Sequence, residues 1–237
     1  MFKKSLVLGM TLALAATAIV GCGSSDQGST TGDKNAADKK EADPKKLTIG
    51  FVPSQQAEEL NAKTKPMAEL LSKELGIECE VIVSTNFNGL VEAMAAKKVD
   101  VGFLAPVNYV QAHDQKHAAD LLLQTVRNGS DHYRAQFVKK ADNKDLNKIE
   151  DVKGKKVAYT DPTSAAGYTY PALMLKKANI DPQKDVQPIY AGGHDKALQA
   201  LLRGDVDVAT TFEDARTNLT KEVPDVMQKL SVFAYSD

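Results

Sequence analysis

The chain has 237 residues, of which 43% are hydrophobic and 26% are charged, and its formal net charge is −1. This composition is typical of a soluble globular protein with room for one large or two modest domains. The near-neutral charge lacks the basic excess that nucleic-acid binding requires, so we expect no nucleic-acid partner.

The N-terminus has the pattern of a secretory signal peptide. The basic pair Lys3-Lys4 precedes an apolar run, from Leu6 to Val20, that is short for a membrane span. Residues 1–21 are therefore predicted to be a leader. Its removal takes two lysines and no acids, which changes the formal net charge from −1 to −3.

The end of this leader, Ile19-Val20-Gly21-Cys22, resembles the lipobox of bacterial lipoproteins, in which the cysteine is lipidated. The resemblance predicts lipidation of Cys22 and a lipid anchor on the extracytoplasmic face of the cell membrane. A plain secretory cleavage site beside an incidental cysteine is the alternative. With Cys22 lipidated, Cys79 has no disulfide partner, and its strand pattern indicates a small core residue.

Residues 22–46 are mostly small and polar, with almost no large apolar side chain. Such a segment cannot bury enough apolar surface to fold, so we predict a flexible tether.

From Lys46 onward, short apolar strand patterns alternate with helical patterns. The predicted strands are 47–52, 78–83, 99–104, 121–126, 135–138, 156–159, 186–190 and 206–210. The predicted helices are 62–75, 87–98, 106–117, 171–178, 194–203 and 211–219. This alternation implies crossover connections and a mainly parallel sheet.

A weak internal repeat divides the folded part into two units. The sequence Val99-Asp100-Val101, which follows a helix end, matches Val206-Asp207-Val208. We predict lobe 1 at 47–138 and lobe 2 at 139–237, with the last residues starting the return to lobe 1. A ligand then belongs in the cleft between the lobes, at the carboxyl ends of strands.

Two strand-to-helix junctions in the second unit favour an anion. Asp161–Pro171 is rich in hydroxyls and small residues, and Gly192-Gly193 precedes His194 at a helix start. Free N–H groups and the helix dipole attract negative charge at such junctions. The simpler alternative for the first junction is an ordinary capped turn. For the second junction, the alternative is that the glycines are needed only for the geometry of the helix start.

Catalytic and metal sites are not indicated. Ser164, His194 and Asp195 supply the residue types of a hydrolase triad, but no Gly-x-Ser-x-Gly surrounds the serine. An aspartate adjacent to its histidine cannot lie behind the ring as a triad requires. His113 and His117 have a zinc-like spacing without a third ligand, which favours a solvated helix face. We expect no enzyme activity, metal or cofactor.

Several stretches, in order, resemble the phosphate/phosphite/phosphonate substrate-binding proteins of bacterial ABC importers. The matching segments are 47–53, 98–109, 152–157, 161–167, 193–195 and 204–216. The resemblance implies an α/β, two-lobed periplasmic-binding-protein fold of type II, with mixed sheets flanked by helices. It also implies a monomeric solute-binding lipoprotein that captures a small oxyanion for a membrane permease and its ATPase.

The resemblance also assigns ligand-binding positions. The family's loop usually reads Ser-Thr-Ser-Gly, whereas this chain has Ser164-Ala165-Ala166-Gly167 and lacks two hydroxyls. Either the ligand makes fewer polar contacts or it is not a phosphonate, and we expect Ala165→Thr with Ala166→Ser to tighten phosphonate binding. The remaining assigned positions are Tyr109, Thr163, His194, Asp195, Glu213 and Asp214. His194 is expected to donate to an anion oxygen, and one of the two last acids to meet a ligand amine or protonated oxygen.

The sequence leaves two other functions open: a ligand sensor of the same fold that signals to a membrane kinase, and an enzyme on a binding-protein fold. Members of this family usually continue for several dozen residues past the position of Asp237. The sequence is therefore interpreted as truncated at its C-terminus.

Overall fold

A computed structural model describes residues 44–127 and 129–237. The predicted leader at 1–21, the lipidation site Cys22 and nearly all of the predicted tether lie outside the described residues. Within the described ranges, no helix is both long and apolar enough to cross a lipid bilayer.

The first sheet has three parallel strands in the order β2-β1-β3. The strands are β1 (Lys46–Phe51), β2 (Glu78–Val83) and β3 (Val101–Phe103). Their helices are α1 (Ala57–Leu75), α2 (Phe87–Ala95) and α3 (Pro106–Val110), the last continuing as a π-helical turn over Gln111–Gln115. Residues 46–115 are called lobe 1 below.

The second sheet has five strands in the order β6-β5-β7-β4-β8. The strands are β4 (Ala135–Lys140), β5 (Lys156–Tyr159), β6 (Gln187–Tyr190), β7 (Val208–Phe212) and β8 (Leu230–Tyr235). The helices are α4 (Tyr170–Lys177), α5 (His194–Arg203), α6 (Ala215–Asn218) and α7 (Val226–Lys229). Strand β5 is parallel to β6 and β7, whereas β4 is antiparallel to β7 and β8. Residues 135–237 are called lobe 2, and residues 116–134 the connecting segment.

An aspartate makes the same pair of hydrogen bonds in each sheet. The N–H of Asp100 donates to the carbonyl of Thr48 at 2.9 Å, and its Oδ2 accepts from the N–H of Thr48 at 2.8 Å. Asp207 exchanges the same two bonds with Lys156, both at 2.9 Å. Each aspartate fixes a strand against its neighbour, so the internal repeat in the sequence has a structural counterpart.

Lobe 2 carries apolar packing on both faces of its sheet. Along β5, Val157 and Tyr159 pack with Leu175 on one face, while Ala158 packs with Leu198 on the other. This alternation follows from the two-residue repeat of a strand. Because both faces are covered, the carboxyl ends of β5 and β7 are held by packed elements.

Two predicted elements were wrong. The apolar run 121–126, predicted as a strand, has no regular secondary structure, and Leu122 is 77% exposed. Among the described residues this run has no strand beside it, and an extended segment needs a neighbour to satisfy its backbone. The predicted helix 211–219 begins only at Ala215, since Thr211 and Phe212 pair with β4 and extend β7.

The predicted lobe boundary was also wrong. We placed residues up to 138 in lobe 1, but β4 hydrogen-bonds to β7 and β8 and so belongs to the second sheet. Strand β8, expected to start a return to lobe 1, is the edge strand of the same sheet. The chain therefore passes from lobe 1 to lobe 2 before Ala135.

Candidate functional site

Two strand-to-helix junctions of lobe 2 lie side by side because they follow the neighbouring parallel strands β5 and β6. The N–H of Gly192 donates to the carbonyl of Thr160 at 2.8 Å, and Nδ1 of His194 lies 3.1 Å from Thr160 Oγ1. The loop after β5 and the start of α5 thus form one rim at the carboxyl edge of the sheet. This is the edge at which open α/β sheets bind ligands.

The loop after β5, residues 161–167, is shaped by its own side chains. Asp161 Oδ1 accepts from both the N–H and the hydroxyl of Thr163, each at 2.8 Å. Ser164 caps the following helical turn, with its Oγ accepting from the N–H of Gly167 at 3.1 Å. The carbonyl of Gly167 accepts from Thr210 Oγ1 at 2.6 Å. A Cβ on Gly167 would overlap Thr160, so this position requires glycine.

Two backbone N–H groups of this loop, those of Ala165 and Ala166, lie at the start of the helical turn. They open the helical stretch 165–177, and neither has an acceptor among the residues that the structure describes. The helix dipole adds partial positive charge at the same point. Helix starts of this kind attract anions, and we refer to this pair of backbone N–H groups as the anion seat.

The two alanine methyl groups differ in surroundings. Both residues are 2% exposed, but Ala166 packs in the apolar cluster that includes Ala158 and Leu198, whereas Ala165 is not part of the clusters. A hydroxyl at 166 would therefore enter apolar packing. The expectation that both hydroxyls help binding needs revision for Ala166.

His194 is the first residue of α5 and is 5% exposed. Its ring packs against that of Phe212 in a T-shaped arrangement, with centroids 4.7 Å apart, and its backbone N–H donates to the carbonyl of Ser54 in lobe 1 at 3.0 Å. Burial, together with the charge of Arg127, lowers the pKa of His194 to about 3. The imidazole is thus neutral at physiological pH and can offer one N–H donor but no charge.

Asp195, the next residue, is 7% exposed and lines a small pocket with Gln55 of lobe 1 and Glu222 of lobe 2. The pocket also includes the ring of His194, so it lies beside the rim just described.

Lobe 1 contacts the loop through Asn108 rather than through the predicted Tyr109. The fully buried Asn108 donates from Nδ2 to Thr163 Oγ1 at 3.0 Å. The ring of Tyr109 instead stacks on His113, with centroids 5.4 Å apart. Of the predicted site residues, the structure brings together Thr163 to Gly167 and His194, and it adds Asn108.

The predicted acids Glu213 and Asp214 are both engaged by arginines of the connecting segment. Glu213 accepts from the backbone N–H and Nε of Arg134 at 3.1 and 3.2 Å, and Asp214 Oδ2 lies 3.3 Å from Arg127 Nη2. The guanidinium of Arg127 also lies over the ring of Phe212 at 4.6 Å. Because Phe212 contacts His194, the Arg127–Asp214 pair is the one next to the rim.

Sequence reasoning missed Thr160, Thr210 and Asn108. Thr160 directly follows a predicted strand, and a hydroxyl at that point was an available signal. Asn108 precedes Tyr109 in a matched segment, but only Tyr109 was predicted to be a ligand-binding residue. Thr210 lies at the centre of β7 and carries no local signal.

Two α/β lobes joined by a connecting segment are the architecture of the two-lobed periplasmic binding proteins. The chain belongs to the phosphonate-binding family, described as ABC transporter, phosphonate, periplasmic substrate-binding protein, which it matches over residues 49–237. Its fold is that of the type II periplasmic binding proteins.

The chain is 30% identical to the phosphate-import protein PhnD of Mycolicibacterium smegmatis over 190 residues, which are 76% of this chain and 59% of that protein. It is 22% identical to the phosphonates-binding periplasmic protein of Escherichia coli, over 81% of this chain and 58% of that protein. The chain thus spans less than two thirds of these relatives.

Solved structures share the fold at lower identity. The binding protein of a Pseudomonas aeruginosa ABC phosphonate transporter has a TM-score of 0.75 at 23% identity, over 81% of this chain and 65% of that one. PhnD1 of Prochlorococcus marinus in complex with methylphosphonate has a TM-score of 0.71 at 20% identity, over 81% of this chain and 72% of that one.

Proposed function

We propose that this chain is the solute-binding component of an ABC importer and binds a small phosphonate, phosphite or phosphate ion between its lobes. The observation that carries the proposal is the pair of free N–H groups at Ala165 and Ala166, beside the neutral His194. The family to which the chain belongs and the ligands in the names of its relatives support the same class of oxyanion.

The neutral imidazole defines how the anion is held. A charged histidine is not available, since burial keeps the pKa of His194 at about 3. The ligand's charge is therefore met by the helix dipole at residue 165 and by Arg127 near the rim. Hydrogen bonds from Ser164, the two backbone N–H groups and one imidazole N–H fix the orientation of the anion.

Closure follows from the contacts between the lobes. The ligand enters while the lobes are apart and binds the rim of lobe 2. Lobe 1 then docks through Asn108 to Thr163 and through the Ser54 carbonyl to the N–H of His194. The closed form presents a joint surface of both lobes to a permease. The permease is proposed as partner because the family is one of ABC transporter proteins.

The location is proposed from the leader. Lipidated Cys22 and the tether at 22–46 hold a monomer at the extracytoplasmic face of the membrane, within reach of the permease. Labelling with an alkyne fatty acid in cells tests this point: wild type incorporates the label and Cys22→Ala does not.

The decisive experiment is thermal unfolding with phosphate, phosphite, methylphosphonate, 2-aminoethylphosphonate, sulfate and methanesulfonate. A ligand at one hundred times its Kd stabilises the fold by about 2.7 kcal/mol, which raises Tm by about 5–10 °C for a chain of this size. Phosphorus NMR of the same mixtures should show unchanged ligand, as binding without turnover requires. If no phosphorus oxyanion raises Tm, the assignment of ligand class is wrong.

A further inference from the structure

The carboxylate of Asp195 is buried in the first turn of α5. The residue is 7% exposed, and both carboxylate oxygens lack a hydrogen bond of acceptable geometry among the described residues. Burial raises the pKa of Asp195 above the ordinary value of 3.8, and it outweighs the backbone N–H groups of Lys196 and Asp195, which lower this pKa. An ionised carboxylate in such a place is unfavourable.

This burial depends on contact between the lobes. The pocket beside Asp195 has a volume of about 10 Å³, room for one water molecule at most. Gln55 and Glu59 of lobe 1 form one wall, and lobe 2 forms the rest. The two sides are held together by the bond from His194 to Ser54 and by Gln56 Nε2, which donates to Glu222 Oε1 at 3.4 Å. Separation of the lobes would expose Asp195 to water.

The charged groups around the pocket do not neutralise Asp195. Glu59 on α1 is paired with Lys63 at 2.7 Å, and Glu222 accepts from two glutamine amides. Lys196 lies on the exposed side of α5 and lowers the pKa of Asp195, whereas Glu222 raises it. His194, the remaining titratable group of the pocket, is neutral because burial depresses its pKa to about 3.

A metal ion is not indicated as the neutralising group, since the described residues contain no cluster of three or more His, Cys, Asp or Glu suited to one. The group that fits the available space is a proton on the carboxylate itself.

We propose that Asp195 takes up a proton when the lobes close and releases it when they open, so that ligand capture is coupled to proton uptake. This inference rests on the proposed closure around an oxyanion. Because the closed form binds the proton more tightly than the open form, acidification favours closure. The contribution of Asp195 to ligand affinity therefore rises as the pH falls through its pKa in the closed form, and it levels off below its pKa in the open form.

The test is isothermal titration of methylphosphonate into the full chain at one pH, in buffers of different ionisation enthalpy. The slope of heat against buffer enthalpy gives the number of protons taken up. Methylphosphonate itself titrates, so the quantity of interest is the difference between wild type and Asp195→Asn. Asp205→Asn, an exposed acid just after the same helix, is the matched control.

Wild type and Asp205→Asn should take up the same number of protons, and Asp195→Asn measurably fewer, with a flatter pH dependence of Kd. Equal uptake in all three proteins overturns the inference while leaving oxyanion binding intact. Absence of any binding heat overturns the proposed function and this inference with it. If Asp195→Asn does not fold, carboxyl carbon NMR of wild type replaces it: methylphosphonate should move the titration of one aspartate to higher pH, and no such movement contradicts the inference.

Discussion

Asn108 of lobe 1 donates its side-chain N–H to Thr163 Oγ1 of lobe 2 at 3.0 Å, and Thr163 in turn donates to Asp161 at 2.8 Å. Lobe 1 therefore touches the loop that carries the proposed anion seat. Docking of lobe 1 and the geometry of the anion seat are linked through a single threonine hydroxyl.

Removing either partner of this bond should destabilise the closed form and so weaken ligand binding. We expect Asn108→Ala and Thr163→Val each to raise the Kd of methylphosphonate by about threefold to tenfold, since one hydrogen bond contributes about 0.5–1.5 kcal/mol. Titration calorimetry of both single variants and the double variant measures the coupling. Effects that add fully would contradict a direct bond between these two residues.

Serine substitutions at 165 and 166 should affect different properties: ligand affinity at 165 and stability at 166. Ala165→Ser adds a donor beside the anion seat and should tighten methylphosphonate binding by a few-fold. Ala166→Ser places a hydroxyl in the apolar cluster of lobe 2 and should lower the free energy of unfolding by about 1–3 kcal/mol. Urea unfolding and calorimetry on the two variants check this; a more stable Ala166→Ser would contradict the packing described.

Thr210→Val should destabilise lobe 2 and loosen the 161–167 loop. The buried hydroxyl of Thr210 donates to the Gly167 carbonyl at 2.6 Å, and its loss leaves that carbonyl with the longer bond from the N–H of Thr160 at 3.3 Å. The loss of one such hydrogen bond costs about 0.5–1.5 kcal/mol. Thr217→Ala, at an exposed position of α6, serves as control and should change stability by less than about 0.5 kcal/mol. Equal urea midpoints for the two variants would rule out a supporting role for Thr210.

The buried His194 should make the protein less stable in acid. Its pKa is about 3 when folded and about 6.5 when unfolded, so the unfolded chain binds the additional proton between these values. Stability contributed by the neutral ring is complete above pH 6.5 and is lost as the pH falls, at up to about 1.4 kcal/mol per pH unit. Urea unfolding from pH 7.5 to pH 4.5 should show a smaller loss in His194→Gln than in wild type. Parallel curves would mean that the histidine is not buried as described.

Much of the fold was predictable because local sequence patterns determine the bounds of its helices and strands. Strand β2 and helix α5 have the predicted bounds, and α1 and α5 both end at a glycine in the left-handed conformation, Gly76 at φ 68° and Gly204 at φ 85°. The internal repeat around Asp100 and Asp207 also proved structural, since both aspartates make the same hydrogen bonds.

The rest depends on contacts distant in sequence. Whether 121–126 becomes a strand depends on a neighbour, and whether β4 joins the first or the second sheet depends on its pairing with β7. The loop 161–167 was identified from its small residues and hydroxyls, but the direction of the Ala166 methyl group was not. Asn108 lies 55 residues from Thr163, and no periodicity connects them.

The most direct test of anion binding by the loop backbone is to delete one N–H group. Ser164 has an extended conformation (φ −76°, ψ 122°) that suits a following proline, and proline is favoured at the first position of a helix. Ala165→Pro therefore removes a single donor, whereas Ala165→Gly retains it. Calorimetry with methylphosphonate should show Ala165→Gly within a few-fold of wild type and Ala165→Pro at least about tenfold weaker, as expected for one hydrogen bond to a charged group. A folded Ala165→Pro variant that binds methylphosphonate as tightly as wild type would contradict the backbone anion seat.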